Sequence, residues 1–160
     1  MTRVRPVRSI ALALLAGLVA ASPAGEPEKQ QPVRVTVVII LASADNNVVD
    51  RKLTSLAKEM EKRQSDLVGF QMTQVLQKSI PVGRSHTFDL GGGQALKVTI
   101  DQPKGKDGRA GLTLTTSGGG EVSYTCACDK FFPLVTEHKT KCGRTLMVAV
   151  GAKPCTGKGP

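Results

Sequence analysis

The chain has 160 residues, a formal net charge of +9 and an aromatic content of only 3%, with no Trp and one Tyr. Proteins that bind single-stranded nucleic acid stack bases on aromatic side chains, so this composition argues against a nucleic-acid partner. The length predicts one domain, large enough to bury a core of Val, Leu and Ile.

The amino terminus has the three-part layout of a secretory signal peptide. Arg3, Arg5 and Arg8 come before any acidic residue, and an apolar run extends from Ile10 to Ala21. This run has about a dozen residues, whereas a membrane-spanning helix needs roughly 20. We therefore expect cleavage after Ala24, with Ala21 as a looser site and an uncleaved anchor as the alternative. Cleavage of residues 1–24 removes three arginines and no acid, which lowers the net charge to +6.

The region that follows predicts a strand and then a helix. Residues 25–32 are polar and indicate a tether. Residues 33–43, VRVTVVIILAS, are rich in β-branched side chains, and the unbroken apolar run within them indicates a central strand covered on both faces. Residues 45–47, Asp-Asn-Asn, predict a turn and helix cap. Apolar residues then recur at helical spacing, which predicts a helix over residues 48–67 that ends at Gly69.

From Phe70 onward the apolar residues alternate with polar ones, and glycine-rich turns separate the alternating segments. This pattern predicts five or six antiparallel strands, the last two over residues 122–128 and 145–151. Residues 156–160 are expected to be a disordered tail. The sequence thus predicts one α+β domain over residues 33–155, a two-layer sandwich with one helix packed on a mainly antiparallel sheet.

The four cysteines predict two disulfides, because an even number of cysteines in an exported chain is typical of a disulfide-stapled fold. Cys126 and Cys128 share one face of a strand, about 6.5–7 Å apart, at the limit of bonding to each other. If strand 122–128 pairs with strand 145–151, Cys128 lies near Cys142 and can form a disulfide with it. Cys126 would then form the second disulfide with Cys155. All three connectivities remain open at this point.

Other chemistry is less well supported by the sequence. Cys126 and Cys128 could hold copper or zinc, but the cysteine spacings match zinc sites poorly. They could also form a redox pair. His86 and His138 are about fifty residues apart and define no catalytic group by themselves. We therefore expect no cofactor and no catalytic residue that the sequence can identify.

Two features indicate a contact surface. Basic residues fall into two groups, Lys104, Lys106 and Arg109 in one, and four residues from Lys130 to Arg144 in the other. Such groups would attract an anionic surface polymer, although a solvated basic surface is the simpler interpretation. Phe131 and Phe132 either fill the core or meet a partner.

The strand ending ILAS, the acidic-capped helix and the segment FFPLVT (131–136) resemble a group of small exported bacterial proteins with no assigned function. The resemblance implies export and supplies no catalytic residue. The function expected is a non-enzymatic binding or structural module of the envelope or periplasm, with an envelope protein or an anionic surface polymer as partner. Thiol-based metal handling is the alternative, and a small hydrolase whose site is assembled only in space is a third hypothesis.

Overall fold

A computed structural model of the protein describes residues 31–102, 109–127 and 130–154. In chain order, its elements are β1 (Val33–Ser43), a 3-10 turn (Arg51–Leu53), α1 (Thr54–Arg63), β2 (Gly69–Ile80), β3 (Ser85–Gly91), β4 (Gln94–Gln102), β5 (Arg109–Thr116), β6 (Glu121–Ala127), β7 (Phe131–Lys139) and β8 (Thr145–Pro154).

The strands form two four-stranded antiparallel sheets rather than the one sheet that the sequence predicted. The helix-side sheet has the order β2-β1-β8-β7, and the meander sheet has the order β3-β4-β5-β6. The main core lies between the two sheets, and a second core lies between the helix-side sheet and α1. The prediction of a two-layer α+β sandwich is therefore wrong, because strands make up 63% of the described residues and the molecule has three layers.

The burial of each strand reflects its place in these layers. In β4, Leu96, Val98 and Ile100 are fully buried between the sheets while Lys97 is exposed, since the meander sheet has one solvated face. In β1, Val37 faces the core between the sheets and Ile40 faces the helix. The sequence prediction of a central strand covered on both faces is confirmed for β1.

Two short connections carry the chain between the sheets. The turn after β2 uses Gly83 at a φ of 74°, and its backbone N–H donates to the carbonyl of Ile100 at 2.7 Å. The return from β6 to β7 passes through residues 128–130, of which Lys130 is described. Periodicity predicts that these segments are strands, but it carries no signal for the sheet that each one joins.

The helix is shorter than predicted, and its cap is a different residue. Asp50 caps the 3-10 turn by accepting a bond from the Lys52 backbone N–H at 3.1 Å, so the expected cap at residues 45–47 is wrong. Residues before Asp50 are held beside β2, where the Phe70 N–H donates to the Val48 carbonyl at 3.0 Å. Val48 and Val49 therefore lie beside strand β2 and do not belong to the apolar face of a helix.

Strand β7 was missed by the sequence prediction, which placed no strand between residues 128 and 145. Among the described strands, β7 pairs with β8 alone, so no described strand covers its other edge. Pro133 lies within it, and proline is tolerated in a strand mainly at such an edge because it has no N–H to donate. Across residues 31–102, 109–127 and 130–154, no helix has the length and apolar character needed to cross a membrane.

Candidate functional site

The cysteines do not form the predicted staple in the described part of the chain. Cys126 lies near the end of β6 and is 2% exposed, with its sulfur 3.4 Å from the carbonyl oxygens of Ala127 and Lys130. Cys142 is exposed in the β7–β8 hairpin. The structure shows no disulfide among the residues it describes, so the prediction of a disulfide-stapled fold is corrected. Cys128 and Cys155, the predicted disulfide partners of Cys142 and Cys126, lie outside the described residues.

The strand pairing on which the predicted disulfides were based, between residues 122–128 and 145–151, is also wrong. β6 pairs with β5 in the meander sheet, and the neighbours of β8 are β1 and β7. The pairing of Cys128 with Cys142 was inferred from a contact between β6 and β8 that would have placed both strands in one sheet. The two strands belong to different sheets, so that inference loses its basis.

The described residues that were considered for metal or catalytic chemistry do not form a cluster of metal ligands. Within the described ranges, no three His, Cys, Asp or Glu side chains are grouped so that they could hold a metal ion. His86 packs edge-on against Phe88, with ring centroids 4.9 Å apart. His138 lies in β7, in a cleft of about 620 Å³ that also contains Glu137. Both residues lie where the pairing of β7 with β8 shifts register, between Val135 and Lys139.

Phe132 is part of the core between the sheets. Its ring stacks on Tyr124 with centroids 4.3 Å apart, and the Tyr124 hydroxyl donates to the Val150 carbonyl at 3.3 Å. Burial raises the pKa of Tyr124 well above its ordinary value, and the adjacent Cys126 raises it further. The stack therefore ties β6 to β7 where the two sheets meet.

Phe131 lies on the other face of β7, because successive side chains of a strand alternate. Its ring covers Gly151, where an added Cβ would come within 2.9 Å of the ring carbon Cε1. The side chain keeps 39% of its surface exposed. Of the two phenylalanines, Phe131 is thus the one that can meet a partner.

The most distinctive surface is the end of the sandwich at which β1 begins, which we call the basic end. The strand registers bring together there the start of β1, the ends of β2 and β8, the start of β5 and the turn before β3. Six exposed cations lie in these segments and just before β7: Arg34, Lys78, Arg84, Arg109, Lys130 and Lys153. Asp101 is the one acidic residue that the described strands place at this end, and it accepts a bond from the Thr113 hydroxyl at 2.7 Å.

Part of the basic end continues onto the outer face of the helix-side sheet, beyond the area that α1 covers. Arg34 and Lys153 lie directly opposite each other on β1 and β8. The next row of the same face contains Thr36, Gly151 and the exposed ring of Phe131. This face therefore combines two opposed cations with an adjacent aromatic ring.

The structure regroups the basic residues that the sequence had paired. Lys130 is separated from Lys139, Lys141 and Arg144, which lie at the opposite end of β7 and in its hairpin. Lys104 and Lys106 lie outside the described residues. Arg34 and Lys153 were not recognised from the sequence, because isolated cations at strand ends carry no local signal of their grouping.

Comparison of the chain with known protein families, with curated proteins and with solved structures finds no match.

Proposed function

We propose that this chain is an exported, non-enzymatic binding domain that attaches to an anionic polymer of the cell envelope through its basic end. The observation that carries this proposal is the gathering of six exposed cations in that region, where the described strands place one carboxylate, that of Asp101. Clustered like charges create a positive local potential that attracts an extended anion. The attraction is screened over about 8 Å at physiological ionic strength, so binding to this surface is salt-dependent.

The opposed cations favour a bound anion. Arg34 and Lys153 lie directly opposite each other on neighbouring strands, so one anionic group can contact both side chains. The exposed face of Phe131 offers an apolar contact in the next row. A polymer with alternating charged and less polar surfaces fits both features.

Polyphosphate and polygalacturonate, each fluorescently labelled, test the proposal by anisotropy over a range of salt concentrations. Both probes should bind, and the affinity should fall as salt rises. In the double variant Arg34→Glu/Lys153→Glu, we expect the affinity to fall about tenfold or more.

The matched control is Lys58→Glu/Lys62→Glu, which makes the same charge change at exposed positions of α1. This variant should bind within about threefold of the natural chain, a difference well under 1.4 kcal/mol. Equal losses in the two double variants would mean that net charge alone matters, and that the basic end is only a solvated surface. Circular dichroism of each variant excludes unfolding as the cause.

Export is tested separately from binding. When the full chain is produced in a bacterium and recovered from the periplasm, its amino-terminal sequence should begin at Gly25. Retention of residues 1–24, or accumulation only in the cytoplasm, would contradict this part of the proposal.

A further inference from the structure

A second pocket lies where β1 ends, at the opposite end of the sandwich from the basic end. It has a volume of about 360 Å³ and is formed by the end of β1, the loop that follows it, the start of β2, and Arg144 just before β8. This volume is within the range of roughly 300–1,000 Å³ that is typical of small-ligand sites. The pocket brings together chain segments that are far apart in the sequence.

Arg144 provides a half-buried positive charge in this pocket. Its guanidinium donates one hydrogen bond, from Nη1 to the Gln71 side-chain oxygen at 2.8 Å. A guanidinium has five N–H donors in a fixed planar arrangement that matches a carboxylate. Among the described residues, Arg144 forms no ion pair, so its charge is balanced by no carboxylate of the fold.

Asp50 provides a half-buried negative charge in the same pocket. One of its oxygens accepts the capping bond from Lys52 N–H, and no ion pair within the described chain engages the carboxylate. Asp50 and Arg144 therefore line one pocket with opposite charges that are not joined to each other. Leu41 and Val48 add apolar side chains to a lining that also contains Ser43, Asn46 and Gln71.

We propose that this pocket binds a small zwitterion of the α-amino acid type. Arg144 binds the carboxylate, Asp50 binds the ammonium group, and the apolar lining contacts an aliphatic side chain. A simple anion would face the Asp50 charge, and a simple cation would face Arg144. Only a ligand that carries both charges matches both residues.

The loop that carries Asp50 is held in place before any ligand arrives. The Ser43 hydroxyl donates to the Asn46 carbonyl at 2.9 Å, and the Asn46 side-chain oxygen accepts from Val48 N–H at 3.0 Å. The Asp50 N–H then donates to the Phe70 carbonyl at 2.9 Å. A site that is already ordered loses less conformational freedom on binding.

Isothermal titration calorimetry of the purified protein with three ligands of similar shape tests the proposal. Leucine carries both charges, 4-methylpentanoate lacks the ammonium group, and isoamylamine lacks the carboxylate. We expect saturable binding of leucine at least about tenfold tighter than that of either analogue. Equal binding of leucine and 4-methylpentanoate would reduce the pocket to an anion site, and absence of leucine binding up to about 10 mM would also overturn the proposal.

Three variants locate the binding. Asp50→Asn keeps a side chain that caps the 3-10 turn but removes the charge, so leucine binding should weaken while the fold is retained. Arg144→Gln should weaken it at least as much. Arg51→Gln is the control, since Arg51 is exposed and does not line the pocket. If Arg51→Gln weakens leucine binding as much as the other two, the site lies elsewhere and the proposal fails.

Discussion

Replacing Gly69 with alanine should destabilise the protein, because the loop after β1 lies directly against this glycine. A Cβ built on Gly69 would come within 1.7 Å of the Asn46 carbonyl oxygen and 2.8 Å of its carbonyl carbon. Both are backbone atoms, so the contact cannot be relieved by a change of side-chain rotamer. The loop must move by roughly 1.5–2 Å to reach an ordinary van der Waals distance.

The expected cost follows from the contacts that this movement breaks. Overpacking a tight site costs about 1–3 kcal/mol. The displaced loop also loses two backbone hydrogen bonds, from Phe70 N–H to Val48 and from Asp50 N–H to Phe70, each with a net contribution of about 1 kcal/mol. Gly69→Ala should therefore lower the free energy of unfolding by roughly 3–5 kcal/mol, a large part of the stability of a domain of this size.

Urea denaturation followed by far-ultraviolet circular dichroism measures the change. Gly118→Ala is the matched control, because an added Cβ there has its nearest neighbour, Thr116 Oγ1, at 3.9 Å. The control should change the free energy of unfolding by no more than about 1 kcal/mol. If the two variants unfold within about 0.5 kcal/mol of each other, the close packing of the loop on Gly69 is refuted.

Three further predictions concern the sheets. Because burial raises the pKa of Tyr124, this tyrosine ionises first in the unfolded chain, so its contribution to stability should be fully present below about pH 10 and be lost above it. The loss of stability above about pH 10 should be smaller in Tyr124→Phe, and since the chain has one tyrosine and no tryptophan, ultraviolet absorbance follows the ionisation of this group. Leu114→Ala, in the core between the sheets, should cost about 2–5 kcal/mol in urea denaturation, whereas Val75→Ala, at an exposed position, should cost less than about 1 kcal/mol. Gly151→Ala should cost below about 1.5 kcal/mol, since the half-exposed ring of Phe131 can swing away, and a cost equal to that of Gly69→Ala would contradict this reasoning.

Local sequence patterns predicted the strands in which apolar and polar residues alternate, because this alternation indicates whether one face or both faces of a strand are buried. The apolar run in β1 correctly indicated two covered faces, and the alternating residues of β4 indicated one. The sequence did not predict β7 because buried and exposed positions do not alternate clearly along it. Residues 134–136 and 138 are all partly buried, at an edge that no other described strand covers. With β7 missing, the opposite orientations of Phe131 and Phe132 could not be predicted.

The sequence by itself predicted most of the strands and the glycine-rich turns, because each depends on residues close together in the chain. Only the tertiary structure decided the division into two sheets. The spacing of apolar residues indicates how many faces of a strand are buried, but it does not indicate which strand lies beside it. The tertiary structure also decided the grouping of Arg34 with Lys153 and of Asp50 with Arg144, which are brought together by strand pairing across most of the domain. Both candidate binding surfaces arise from these long-range contacts.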